Sequence, residues 1–215
     1  MTEESSSPFP QFDFMRHDES DDGLFYQEPR LVVHIDDQAI AAVGELFREV
    51  ISPNSVILDL MSSWRAHWPA GHAKSRMSGL GLNDVEMREN PDLDDYVVHD
   101  LNKDSHLPYD DNTFDAVVIT VSVQYIVKPV EVFRDVHRIL KPNGIFLVIF
   151  SNRMFFTKAV RIWTVSNDEY KMDLVASYFY HAGGYEDLSG MCRNPNRGDF
   201  EDPLYVVMAR KPSQG

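Results

Sequence analysis

Cysteine is almost absent from this chain of 215 residues: Cys192 stands alone, which excludes an internal disulfide and any thiolate metal cluster and suits a reducing compartment. Positive charge is scarce too. Twenty Lys and Arg face 34 Asp and Glu, for a formal net charge of −14. Such a surface repels phosphate backbones, and no local Lys/Arg cluster offsets it, so a nucleic-acid partner is disfavoured. No apolar run approaches the roughly 18–20 residues that cross a bilayer, and the opening MTEESSSPFP lacks a charged-then-apolar signal pattern. No membrane role is expected, and a soluble, cytoplasmic protein is. The chain also lacks H-E-x-x-H, P-loop and G-x-S-x-G patterns, while His67 and His72 lie five apart in an irregular stretch, so no metal site is predicted.

What is present fits a single α/β domain. Hydrophobic residues make up 43% of the chain, enough for a sizeable core. Residues 1–24 are polar and acidic and read as a disordered tail, although Phe9, Phe12 and Phe14 offer rings that could dock it. The domain is expected over 25–215. Asp36 or Asp37 can cap a helix whose core face is Ile40, Val43, Phe47 and Val50 or Ile51. Strands follow at 56–60, 77–82, 96–99, 114–121 and 144–150. Helices are read at 84–90, 130–140 and 172–182, the last stopped by Gly183-Gly184, and a closing strand pair at 185–188 and 204–209. Strands alternating with helices imply a doubly wound, mostly parallel sheet.

The stretch from Val97 to Arg153 carries the most information. Asp100 closes a short apolar run, Leu107-Pro108 lies in an acidic loop, and a buried strand spans Phe114 to Thr120. A helix with apolar positions Val130, Phe133, Val136, Ile139 and Leu140 ends at Lys141-Pro-Asn-Gly, before a second apolar run. This order resembles the second half of the nucleotide fold of class I S-adenosylmethionine-dependent methyltransferases, in particular the small-molecule group called type 11. The resemblance implies a Rossmann-like, seven-stranded sheet with a C-terminal antiparallel pair, S-adenosyl-L-methionine as cofactor, and a small-molecule acceptor.

It also assigns candidate residues. In the family the first strand ends in an acid followed by a glycine-rich turn, where glycine lets the backbone approach the ligand. Here the segment reads Asp59-Leu-Met-Ser-Ser-Trp64, without glycine. Either Ser62 and Ser63 approach and donate to the amino-acid end of the cofactor, or the loop only packs. The ribose-binding acid aligns with Gly81, and Asn83 either reaches a ribose hydroxyl or caps the next helix. Asp100 matches the adenine position, with an Asx turn as the alternative, and Leu101 would lie on the purine face. Gln124 and Tyr125 follow the fourth strand at the reaction face, where Tyr125 can orient an acceptor, face the sulfonium or simply pack. His34, before the first helix, is a candidate base or a capping residue. Arg153 binds a substrate anion or pairs with a surface acid. Asp115 reads as structural, and Trp64, Trp68 and Trp163 as core or lid residues.

Three functional classes remain open at this point: methyl transfer, a catalytically inactive binding or scaffold protein that keeps the fold, and a nucleotide-dependent oxidoreductase. The absence of G-x-G-x-x-G after the first strand argues against the last.

Overall fold

The computed structural model describes residues 8–213. After a 3-10 turn at Gln11–Phe14 come helices α1 (Asp22–Phe25) and α2 (Asp37–Val50), strands β1 (Ser55–Leu60) and β2 (Lys74–Gly81), helix α3 (Asp84–Arg88), and strands β3 (Asp95–Val98) and β4 (Phe114–Thr120). A 3-10 turn at Val123–Tyr125 leads into α4 (Pro129–Ile139), β5 (Leu140–Phe150), α5 (Arg161–Val165), α6 (Asp168–Ala182), β6 (Glu186–Cys192) and β7 (Tyr205–Arg210). The seven strands form one sheet in the order β3-β2-β1-β4-β5-β7-β6. The first five run parallel, whereas β7 is antiparallel to both β5 and β6.

Strand alternation divides the core into two layers. Leu58, Leu60, Val117, Ile119, Phe146, Val148 and Phe150 face the side covered by α4 and α6. Ile57, Ala116, Val118, Ile145, Leu147 and Ile149 face α2, which meets them with Ala39, Val43, Leu46 and Phe47. Both faces of the central strands are therefore buried, which is why they read as continuous apolar runs. The α2 stripe is rotated from the predicted one: Ala39 and Leu46 are buried and Ile40 only partly. As predicted, the Asp36 side chain caps this helix, accepting from Ala39 N at 2.8 Å.

Two sequence expectations need correction. The Lys141-Pro-Asn-Gly segment does not separate helix from strand. It lies inside β5 as an irregularity, with Asn143 at φ 64° and the β4 pairing shifted between Phe114 and Ala116. The described part of the acidic segment, residues 8–24, is packed rather than loose, while residues 1–7 of that expectation lie outside the described range. Phe14 is buried beside Tyr178, and Phe9 packs on both. Arg16 forms a bridge with Val160, and its guanidinium holds Asp22 at 2.7 Å. Asp22 also lies 3.2 Å from the fully buried ammonium of Lys158. The composition of residues 8–24 conceals this because their charges are paired with cations far along the chain, and low hydrophobicity predicts disorder only when such charges stay solvated.

A cavity at the carboxyl ends of the parallel strands

Strand order reverses between β1 and β4, and the crevice outside the carboxyl ends at such a switch point is where open α/β sheets bind ligands. A cavity of about 570 Å³ occupies this place, within the range of small-molecule sites. Its floor comes from the ends of β1 to β4, and its cover from the segment running from Asp22 to Asp36.

The loop after β1 keeps a glycine-like path without glycine. Met61 adopts φ 62°, a left-handed conformation that costs a non-glycine residue about 1–2 kcal/mol. Ser62 N then donates to Leu80 O at 2.8 Å, laying the loop directly on β2. The glycines that permit this contact are in the neighbouring strand. A Cβ on Gly81 would stand 2.3 Å from Ser62 O, and one on Gly79 would stand 2.5 Å from Leu93 Cδ1 and 3.3 Å from Ser62 Oγ. Gly81 therefore has no room for the acid that the resemblance would place there.

Both serine hydroxyls are spent inside the protein. Ser62 Oγ donates to Asp59 at 2.5 Å, and Ser63 Oγ donates to Glu86 at 2.6 Å. The expectation that these hydroxyls donate to a ligand is thus corrected: they brace the loop, and what they retain is acceptor capacity. Asp59 is wholly buried, and desolvation pushes its carboxyl up to about 7 despite the Ser62 bond.

Asn83 caps α3, its Oδ1 accepting from Glu86 N at 3.0 Å, while its Nδ2 donates to Tyr26 O and Gln27 O at 2.8 and 3.2 Å. It joins the cover to the floor, and its amide is fully used. The carboxylate on this side of the cavity is Glu86, which sequence reading missed. It is buried, and its oxygens accept from Arg30 N at 2.7 Å and from Ser63. The Asn83-x-x-Glu86 spacing was a usable signal, since it is that of a capping pair. Here only half of the pair forms, because Glu86 turns to the loop and the cover.

Asp100 and Leu101 line the next part of the wall. Asp100 Oδ1 accepts from Asn102 N at 3.0 Å, so it makes an Asx turn and lines the cavity at once. Asn102 binds Asp22 and Tyr125 O through Nδ2, and its Oδ1 accepts from Val127 N, locking three segments together.

At the end of β4, Val121 adopts φ 56°, a genuine outlier for a β-branched residue, and strain of this kind gathers at functional sites. Tyr125 lines the cavity. Its hydroxyl accepts from Phe155 N at 2.8 Å, and the two rings stack with centroids 6.1 Å apart. Gln124 is placed differently from the prediction. Its amide donates to Val121 O at 3.0 Å and its side chain is buried beneath the cavity rather than in its lining, so it shapes the β4 turn instead of meeting a ligand. Asp115 is structural as read, accepting from Val56 N and pairing with Lys141.

His34 sits at the rim against Phe155, and partial burial, with Arg30 nearby, lowers its pKa, so the imidazole is neutral at pH 7. Arg153 reaches the cavity but is paired with Asp202 at 2.6 Å. Trp64 Nε1 donates to Val32 O, tying the β1 loop to the cover, and Trp163 lies in the core. Among the described residues no group of three or more His, Cys, Asp or Glu is placed to hold a metal ion.

The sheet order and the antiparallel pair agree with the fold that comparison with solved structures shows. Residues 78–148 match the family description "Methyltransferase domain". The fold is that of class I methyltransferases. An S-adenosylmethionine-dependent methyltransferase from Mesorhizobium loti with this fold is 17% identical, with a TM-score of 0.54 over 79% of this chain and 97% of that one. The [4+2]-cyclase SpnF superposes with a TM-score of 0.60 at 17% identity, over 89% of this chain and 92% of that one. In sequence, a demethylmenaquinone methyltransferase of Paenarthrobacter aurescens is 30% identical over 93 residues, 43% of this chain. A ubiquinone/menaquinone biosynthesis C-methyltransferase of a Ruegeria species is 30% identical over 87 residues. The matched part spans about a third of each curated relative, 34% in both.

Proposed function

We propose that this chain is an S-adenosylmethionine-dependent methyltransferase acting on a small molecule. The observation that carries the reading is the cavity at the switch point, whose lining suits such a cofactor. Met61, Leu80, Leu82 and Leu101 give an apolar wall for a purine. Glu86 and Asp100 are acceptors for hydroxyl and amine protons, and the left-handed turn at Met61 preserves the path of a glycine loop. Those residues would hold the cofactor, which when bound supplies an activated methyl group on a sulfonium.

The protein's own part is then mostly positioning, for which up to about 7–11 kcal/mol is available in well-oriented cases. Tyr125, fixed by Phe155 N, orients the acceptor at the end of β4. His34, neutral at the rim, accepts a proton from an acceptor that must lose one. The strap from Asp22 to Asp36 keeps water out of the reaction face. An acidic surface favours a small molecule over nucleic acid as acceptor. The described helices include none long and apolar enough to cross a membrane.

SpnF shares the fold, so a non-methylating role is a second reading, supported by the glycine-free loop. Calorimetric titration with S-adenosylmethionine and S-adenosylhomocysteine tests the first. Micromolar binding, weakened about tenfold or more in Asp100→Ala, supports the methyltransferase. Well-folded protein that takes up neither ligand refutes it.

A further inference from the structure

Among the described residues Arg30 is a half-buried cation with no ion pair to an acid, unlike Arg16, which meets Asp22 at 2.7 Å, Lys158, which meets Asp18 and Asp22 at 3.2 Å, Lys171, which meets Asp168 at 3.0 Å, and Arg138, which meets Asp135 at 2.8 Å. The Arg30 guanidinium donates from Nη2 to Phe25 O at 2.9 Å, and its Nη1 is buried without a hydrogen-bond partner. Glu86 does not neutralise it: one oxygen takes the Arg30 backbone N–H and the other takes Ser63.

Three rings surround the group instead. Its Cζ lies 4.6 Å from the Phe25 centroid, 5.3 Å from Phe155 and 5.7 Å from Tyr26. Ring faces offset part of the desolvation of a cation, but they leave its N–H groups unsatisfied. The other arginines of the cavity are engaged or exposed, Arg153 on Asp202 at 2.6 Å and Arg65 over Trp64 at 4.5 Å. Among the described residues lining the cavity, Arg30 and the exposed Arg65 have no acid partner, and Arg30 is the one of the two shielded from solvent. Because its head packs on Phe25 and Phe155, it addresses the Tyr125 side of the cavity rather than the wall formed by Glu86 and Asp100.

We propose that the acceptor is a planar, unsaturated carboxylate whose anion is held by Arg30 and whose ring lies among Tyr26, Tyr125 and Phe155. This rests on the methyltransferase reading and adds the acceptor class to it. Guanidinium binds carboxylate through two parallel N–H bonds, and Nη1, shielded by the rings and without a hydrogen-bond partner, supplies a donor for such a pair once the surrounding rings part to admit the anion. A carboxylate neutralised in this way is an anchor and not the methylated atom. The same chemistry could come from the amino-acid carboxylate of the cofactor, and the test must tell the two sources apart.

The experiment uses the full chain, its Arg30→Met and Arg30→Lys variants, and calorimetry, with circular dichroism to confirm equal folding. S-adenosylhomocysteine is titrated first, beside methylthioadenosine, which has no carboxylate. Protein loaded with S-adenosylhomocysteine is then titrated with benzoate, 4-hydroxybenzoate and cinnamate, each beside its uncharged amide. The expected result is that Arg30→Met binds S-adenosylhomocysteine within twofold of wild type. Loaded wild type should prefer at least one acid over its amide by tenfold or more, Arg30→Met should lose that preference, and Arg30→Lys should keep part of it. Two results overturn the proposal. One is a tenfold loss of S-adenosylhomocysteine in Arg30→Met with methylthioadenosine unaffected, which assigns Arg30 to the cofactor. The other is no acid-over-amide preference in wild type, or one that Arg30→Met keeps unchanged. Absence of S-adenosylhomocysteine binding to wild type would fail the underlying reading instead, and the acid-over-amide comparison on ligand-free protein would still decide the role of Arg30.

Discussion

Gly81 and Met61 have exchanged their usual parts. The loop carries a methionine where a positive φ favours glycine, and the adjoining strand carries glycines where the loop needs room. Sequence reading saw the missing loop glycines but had no means of seeing that Gly79 and Gly81 compensate across a strand boundary, because that contact exists only in the β1–β2 register. Asp100 and Leu101 were legible because a strand end points at the site whatever the details. Ser62, Ser63 and Gln124 turn their side chains to backbone or carboxylate partners invisible along the chain, while Asn83 caps α3, one of the two readings the sequence left open. Asp59 gives a prediction at this scale. Burial raises its carboxyl from 3.8 to about 7, so the folded state binds a proton that the unfolded state has released. Stability from this group is intact below about pH 4, falls as pH rises toward 7 and is level above that. Asp59→Asn should flatten the decline in urea-unfolding free energy between pH 4 and 8. An unchanged pH profile would show that Asp59 is ionised throughout.

Elements were read with uneven success, for reasons of environment. The strands and helices of the central sheet were placed within a few residues because their apolar periodicity is set by two buried faces. The acidic segment 8–24 was misread because its stability lies in pairs with Lys158 and Asn102, more than seventy residues away along the chain. The pairs at Asp22 anchor the start of the cover over the cavity. Burial raises the Asp22 carboxyl, but bonds from Arg16 and Asn102 outweigh that and hold it below the usual range. Removing the carboxylate leaves two shielded cations short of a partner. Asp22→Ala should therefore cost about 3 kcal/mol in denaturant unfolding, near the lower end of broken buried pairs, because Asp18 still faces Lys158. A cost below about 0.5 kcal/mol would mean that the strap does not contribute to stability.

On the scale of the whole molecule, topology does the most to locate function. Five parallel strands with a reversal between β1 and β4 create one crevice, and the antiparallel β7 and β6 close the sheet beyond β5. Residues from Asp22 to Phe155 meet there although they are distant in sequence, which is why sequence alone pointed to the fold but not to the cover, Glu86 or Arg30. The central claim is that this crevice, with its glycine-free loop, is the working cofactor site. Amide hydrogen exchange with and without S-adenosylhomocysteine tests it most directly, because it reports where a ligand acts. Protection should rise at residues 59–64, 81–86 and 99–102 and in the strap at 22–36, and stay unchanged in β6 and β7. Unchanged exchange throughout the crevice, or protection confined elsewhere, would contradict the claim.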